Sequence, residues 1–137
     1  GLRAALYQDY DERQTRIFDA AIEAASPTLA DKSRVIASSY VHCVLTQGRE
    51  ISDVVAALTG SPELAAVKKQ YQHALIDKCA AILAPFCGPR GLSAASLWAM
   101  LGAADSLSDA AVAGDISAEQ AEDELQAIIL GMVERHR

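Results

Sequence analysis

Residues 93–114, SAASLWAMLGAADSLSDAAVAG, and residues 117–132, SAEQAEDELQAIILGM, decide the fold. Alanine and leucine dominate both stretches and are strong helix formers. Ser93 is placed to cap the first helix, and Gly114 to stop it near Ala113. Ser117 followed by Gln120 is a capping-box pattern, with Ile116 positioned as a hydrophobic staple. The first helix has two unlike faces. One carries Ala95, Ala99, Gly102, Ala103, Ser106, Ala110 and Ala113, all small. The other carries Leu97, Trp98, Leu101 and Val112. Small residues let a second helix approach closely, either within the chain or across a two-fold axis. The second helix presents Ala121, Leu125, Ile128, Ile129 and Met132. That apolar group is wider than one antiparallel neighbour needs, and two such hairpins would close a four-helix bundle. The candidate dimer contact is therefore Ala95, Ala99, Gly102, Ala103, Ser106 and Ala110 with Leu125, Ile128, Ile129 and Met132.

Four more helices precede this pair. The first spans about Leu2 to Ala25, with Leu6, Tyr10, Ile17, Ala21 and Ala24 at helical spacing. Asp9, Asp11, Glu12 and Arg16 fill its other side. Ser26-Pro27 breaks it, because proline disfavours helical geometry in the residue before it. The second helix starts between Pro27 and Asp31 and ends at Gln47, with Gly48 as its cap. Its middle, from Val35 to Leu45, is apolar nearly all round, which predicts burial on several sides. A short third helix covers about Arg49 to Leu58 and stops at Gly60. Ser61-Pro62-Glu63 opens the fourth with a cap, a first-turn proline and an acid at the positive end of the dipole. The fourth runs to about Pro85 with a stripe of Leu64, Val67, Tyr71, Leu75, Cys79, Ile82 and Phe86. Lys68, Lys69, His73 and Asp77 lie opposite. Cys87 to Gly91 is a loop, and the tail from Glu134 to Arg137 is expected to fray. The expectation is one all-α domain over residues 1–137, a six-helix bundle.

Composition narrows the function. The 137 residues carry a formal net charge of −6. Phosphate neutralisation needs a basic face, so this chain is not expected to bind nucleic acid by itself. No apolar run approaches the roughly 18 residues of a membrane span. Leu2 to Tyr10 is too polar for a signal peptide. Cys43, Cys79 and Cys87 lack CxxC spacing and read as reduced thiols of a cytoplasmic protein. Gly1 stands where a methionine would, which reads as a piece of something longer.

Chemistry-bearing patterns are scarce. Adjacent side chains on a helix point about 100° apart, so His42 and Cys43 do not readily face one ion, and no metal site is expected. His73, four residues from both Lys69 and Asp77, reads as part of a solvated face. So do Asp9 with Asp11, and Glu122-Asp123-Glu124. No HExxH, GxSxG or phosphate-cradling glycine loop occurs, so neither catalysis nor a cofactor is expected. Enclosed ligand sites are mostly apolar with a few polar anchors. The helices supply such a set in Tyr40, Cys43, Val44, Gln47, Tyr71, Leu75, Cys79, Trp98, Leu101 and Asp105, although residues of these kinds are more often simple core than ligand contacts. Asp105 sits on a largely apolar helix and must pair, face water or meet a polar ligand, or else lie at the dimer edge.

The order of elements resembles the C-terminal regulatory domain of the tetracycline-repressor (TetR) family. Gly1 to Tyr7 looks like the start of that family's linking helix, and Arg49 to Leu58 like its short middle helix. Ser61 to Leu64 resembles the opening of its long following helix. Leu97 to Asp105 and Gly114 to Ser117 resemble its final helix pair. The resemblance implies a homodimer built on the last two helices and a pocket for a small-molecule effector among the helices before them. It also implies that DNA is contacted only through an N-terminal helix-turn-helix unit outside these residues. A helical adaptor unrelated to transcription and a small helical enzyme without a local motif are the alternatives.

Overall fold

The computed structural model describes all residues, Gly1–Arg137, and every regular element is helical. The helices are α1 (Leu2–Ala24), α2 (Leu29–Glu50), α3 (Ser52–Leu58), α4 (Pro62–Leu83), α5 (Ala94–Ala113) and α6 (Ala118–Arg135), with a 3₁₀ turn at Ala84–Phe86 after α4. No helix is long and apolar enough to cross a membrane.

The starts follow the expected capping chemistry. The Ser61, Ser93 and Ser117 hydroxyls accept from the amides of Leu64, Ser96 and Gln120, and the Gln120 side chain accepts from the Ser117 amide to complete the box. Thr28 caps α2 by accepting from Asp31. At the end of α5, Gly114 adopts φ +81°, and its amide and that of Asp115 return to the last turn. Gly60, with φ +82°, follows α3.

Three boundaries differ from expectation. Gly48 is an interior residue of α2, not its cap; the helix continues to Glu50 and α3 begins only at Ser52. A single glycine costs about 1 kcal/mol in a helix, which the flanking turns absorb. Pro85 lies in the 3₁₀ turn beyond α4. The tail is docked, not frayed. The Gly88 amide donates to the His136 carbonyl at 2.8 Å, and the His136 ring meets the Met132 carbonyl. A Cβ at position 88 would lie 3.2 Å from the Arg137 carbonyl carbon, so any side chain there would push the tail back by a few tenths of an ångström.

The apolar middle of α2 places it at the centre, in contact with all five other helices. The main core joins Ile36 and Ala37 of α2 to Ile76, Cys79 and Leu83 of α4, to Leu97, Met100, Leu101 and Ala104 of α5, and to Leu125, Ile129, Met132 and Val133 of α6. Ala37, Ala104, Ser108 and Ala121 are buried small residues that admit close neighbours. A smaller cluster of Tyr7, Leu58 and Leu64 ties α1, α3 and α4 together. The stripe expected on α1 holds only in part. Tyr10 is buried as expected, but Leu6 and Ile17 are exposed, and Ala4 and Tyr7 turn inward instead. The Tyr10 hydroxyl donates to the Cys43 carbonyl at 2.7 Å, pinning α1 to α2.

Candidate functional site

Two neighbouring clefts open between α1, α2, α4 and α5. The first has a volume of about 330 Å³ and is mainly apolar. Phe18 and Ile17 of α1, Ile36 and Tyr40 of α2, Leu75 and Cys79 of α4, and Met100 and Leu101 of α5 form its walls, with Leu125 and Ile129 of α6 behind. Its charged residues are few. Lys78 is paired with Asp19 at 2.7 Å, and Glu122 is the other; His42 also lines the cleft.

The second cleft is also about 330 Å³ but polar. Tyr7 and Asp11 of α1 face Val44 and Gln47 of α2, Lys68 and Gln72 of α4, and Asp105 and Asp109 of α5. Tyr40, Cys43 and Tyr71 line both clefts, which therefore adjoin. Tyr40 donates its hydroxyl hydrogen to Asp105. This answers the question raised by a carboxylate on α5: it pairs.

Electrostatics follow from desolvation, which disfavours the charged form of any buried acid. Burial pushes the Asp11 carboxyl up to about 6, although nearby Lys68 works against it. One Asp11 carboxylate oxygen is buried without a hydrogen-bond partner in the chain. Burial raises the Tyr7 phenol to about 12 and pushes Tyr40 and Tyr71 higher still. The Cys43 and Cys79 thiols rise to about 11 and about 12, again through burial first. The tyrosines and cysteines lining the clefts are therefore neutral near pH 7.

The structure gathers nine of the ten candidate pocket residues. Leu75, Cys79 and Leu101 line the first cleft, Val44, Gln47 and Asp105 the second, and Tyr40, Cys43 and Tyr71 both. Trp98 lines neither. It is 41% exposed and meets the edge of His73 at 5.4 Å between ring centroids. Asp11 was expected on a solvated face and instead enters the second cleft. Its signal was present in the sequence: Tyr7 and Asp11 are four residues apart, hence on one side of α1. Glu122 likewise lines the first cleft, whereas Asp123 pairs with Arg34 at 2.7 Å.

The residues proposed for a dimer contact divide. Leu125, Ile129 and Met132 are inside the chain's own core and are not available to a partner. They are spent on α2 and α5, since α6 packs against both. Ala95, Ala99, Gly102 and Ser106 are exposed, while Ala103, Ala110 and Ile128 are half-buried. Comparison of the chain with known families, with curated proteins and with solved structures finds no match.

Proposed function

We propose that this chain is the effector-sensing and dimerising domain of a TetR-type transcriptional repressor, with the apolar cleft as its effector site. The observation that carries the reading is the cleft itself. Its volume sits at the lower end of the roughly 300–1,000 Å³ typical of small-molecule sites, with a mainly apolar wall and few polar anchors. Its walls come from helices distant in sequence, so a ligand there touches α1, α2, α4 and α5 together. A ligand shifts a conformational equilibrium only by its differential affinity for the two states. Filling a cleft between α1 and the rest of the bundle favours one seating of α1, the helix that the resemblance joins to the DNA-reading unit.

The outer side of the last helix pair supports the dimerising part. A Cβ added at Gly102 or Gly131 would have nothing within 4 Å, so both positions leave room for another backbone. The contact on this reading comprises Ala95, Ala99, Gly102, Ala103, Ser106 and Ala110 of α5 with Ile128 of α6. The acidic surface suits a cytoplasmic domain whose DNA contacts are made elsewhere.

Native mass spectrometry of gently purified protein tests both parts. The expected result is a dimer mass carrying a small-molecule adduct, lost in the Leu75→Trp variant, whose larger side chain fills the apolar cleft. A monomer with no adduct, and no stabilisation by any compound in a thermal-shift screen of apolar ligands, would overturn the proposal.

A further inference from the structure

The pairing of the two clefts says more about the ligand than either does alone. One is apolar, the other polar, and they adjoin, with Tyr40, Cys43 and Tyr71 lining both. The polar cleft is lined by three carboxylates, Asp11, Asp105 and Asp109, against one cation, Lys68. No ion pair joins Lys68 to any of the three. Asp105 receives one hydrogen bond from Tyr40, and Asp11 keeps a buried oxygen with no partner. Three tyrosine rings, Tyr7, Tyr40 and Tyr71, complete the wall, and aromatic faces attract cations. Their burial holds the phenols neutral, so the rings contribute quadrupoles and not charge.

Resting on the reading of the apolar cleft as an effector site, we infer that the ligand is an amphiphilic cation. Its apolar body occupies the first cleft, and its cationic head lies among Asp11, Asp105, Asp109 and the three tyrosine rings. The chemistry requires an ammonium or amidinium-like head with hydrogen-bond donors, because the site's unmet capacity is for acceptance. An anionic head would meet three carboxylates and one lysine. A neutral alcohol would bring no opposite charge to the buried, unpartnered oxygen of Asp11.

Octylammonium, octan-1-ol and octanoate share one tail and differ in head charge, which makes them suitable probes for isothermal titration calorimetry at pH 7.5. Octylammonium is expected to bind roughly tenfold more tightly than octan-1-ol, with octanoate weakest. Asp11→Asn is expected to weaken octylammonium about three- to tenfold while octan-1-ol is unchanged. Lys68→Gln is expected to tighten octylammonium alone, a gain that misfolding cannot produce. Equal affinity for the three heads, or a preference for octanoate, overturns the cation inference while leaving the apolar cleft as a binding site. Failure of all three compounds to bind, or octan-1-ol binding undiminished by Leu75→Trp, overturns the cleft reading and the inference with it.

Discussion

Replacing Asp11 by asparagine should stabilise the protein above neutral pH and leave it unchanged in acid. The shape of the side chain is retained and only the charge is removed. The folded-state carboxyl is raised from an ordinary 3.8 to about 6 by burial. The folded chain therefore binds this proton more tightly than the unfolded chain does. The associated stability is fully present below about pH 4 and is lost as the pH rises through 6. At 1.36 kcal/mol per unit, the shift sets a ceiling of about 3 kcal/mol. The residue is only half-buried, so screening by solvent reduces this to roughly 1–2 kcal/mol. In a chain of this length that corresponds to about 3–8 °C in Tm. Urea unfolding of Asp11→Asn and the parent at pH 4 and pH 8 reads the effect directly. Curves should coincide at the lower pH and separate at the higher, with the variant more stable. A variant less stable at pH 8 would mean that the Asp11 carboxylate is held by a partner, Lys68 being the nearest candidate, and would refute the desolvation argument.

Other perturbations separate the core from the surface. Ile129→Ala, at a fully buried position in the main core, should destabilise the fold by about 2–5 kcal/mol in chemical denaturation. On the proposed dimer contact, Gly102→Glu should give a monomer by light scattering, because it would bury an unpaired charge between close helices. The same change should leave the monomer as stable or up to about 1 kcal/mol more so, since glycine is a poor helix former. A persisting dimer would place the contact elsewhere. In a thiol titration at pH 8, Cys79 should react last because it is buried and its thiol is pushed up to about 12. A bound ligand should protect Cys43, which lines both clefts, and leave Cys87 unaffected. Prompt labelling of Cys79 would contradict its burial.

Much of the fold was legible because helix signals are local. Serine caps at 61, 93 and 117, the first-turn Pro62 and the stop at Gly114 act through groups within one helical turn, and each works as its sequence implies. Gly48 shows the limit. Glycine permits a left-handed stop but does not compel one, and the backbone hydrogen bonds of α2 run on through it, with the Ile51 amide donating to the Gln47 carbonyl. The tail's order depends on the Cys87–Gly91 loop, far away in sequence, so nothing within Glu134 to Arg137 could reveal it.

The site was legible in part for the same reason. Nine of ten pocket candidates converge because apolar and aromatic residues on inward faces of neighbouring helices have few places to go. Trp98 escaped because a tryptophan's hydrophobicity does not say which side of α5 it occupies. Leu97 and Leu101 set the inward side, and Trp98 stands about 100° away from Leu97.

Helix identity, capping and net acidity were determined by the chain alone, being sums of short-range propensity and composition. The rotation of each helix was decided only in three dimensions. A shift of one residue turns a helical face by about 100°, and the choice rests on which arrangement of six helices buries most apolar area together. That choice drew Leu125, Ile129 and Met132 into the monomer, left Ala95, Ala99 and Gly102 outside, and brought Asp11, Asp105 and Asp109 into one polar cleft beside an apolar one. Proximity among residues on α1 and α5, almost a hundred positions apart, has no local signature, because no short-range interaction depends on it.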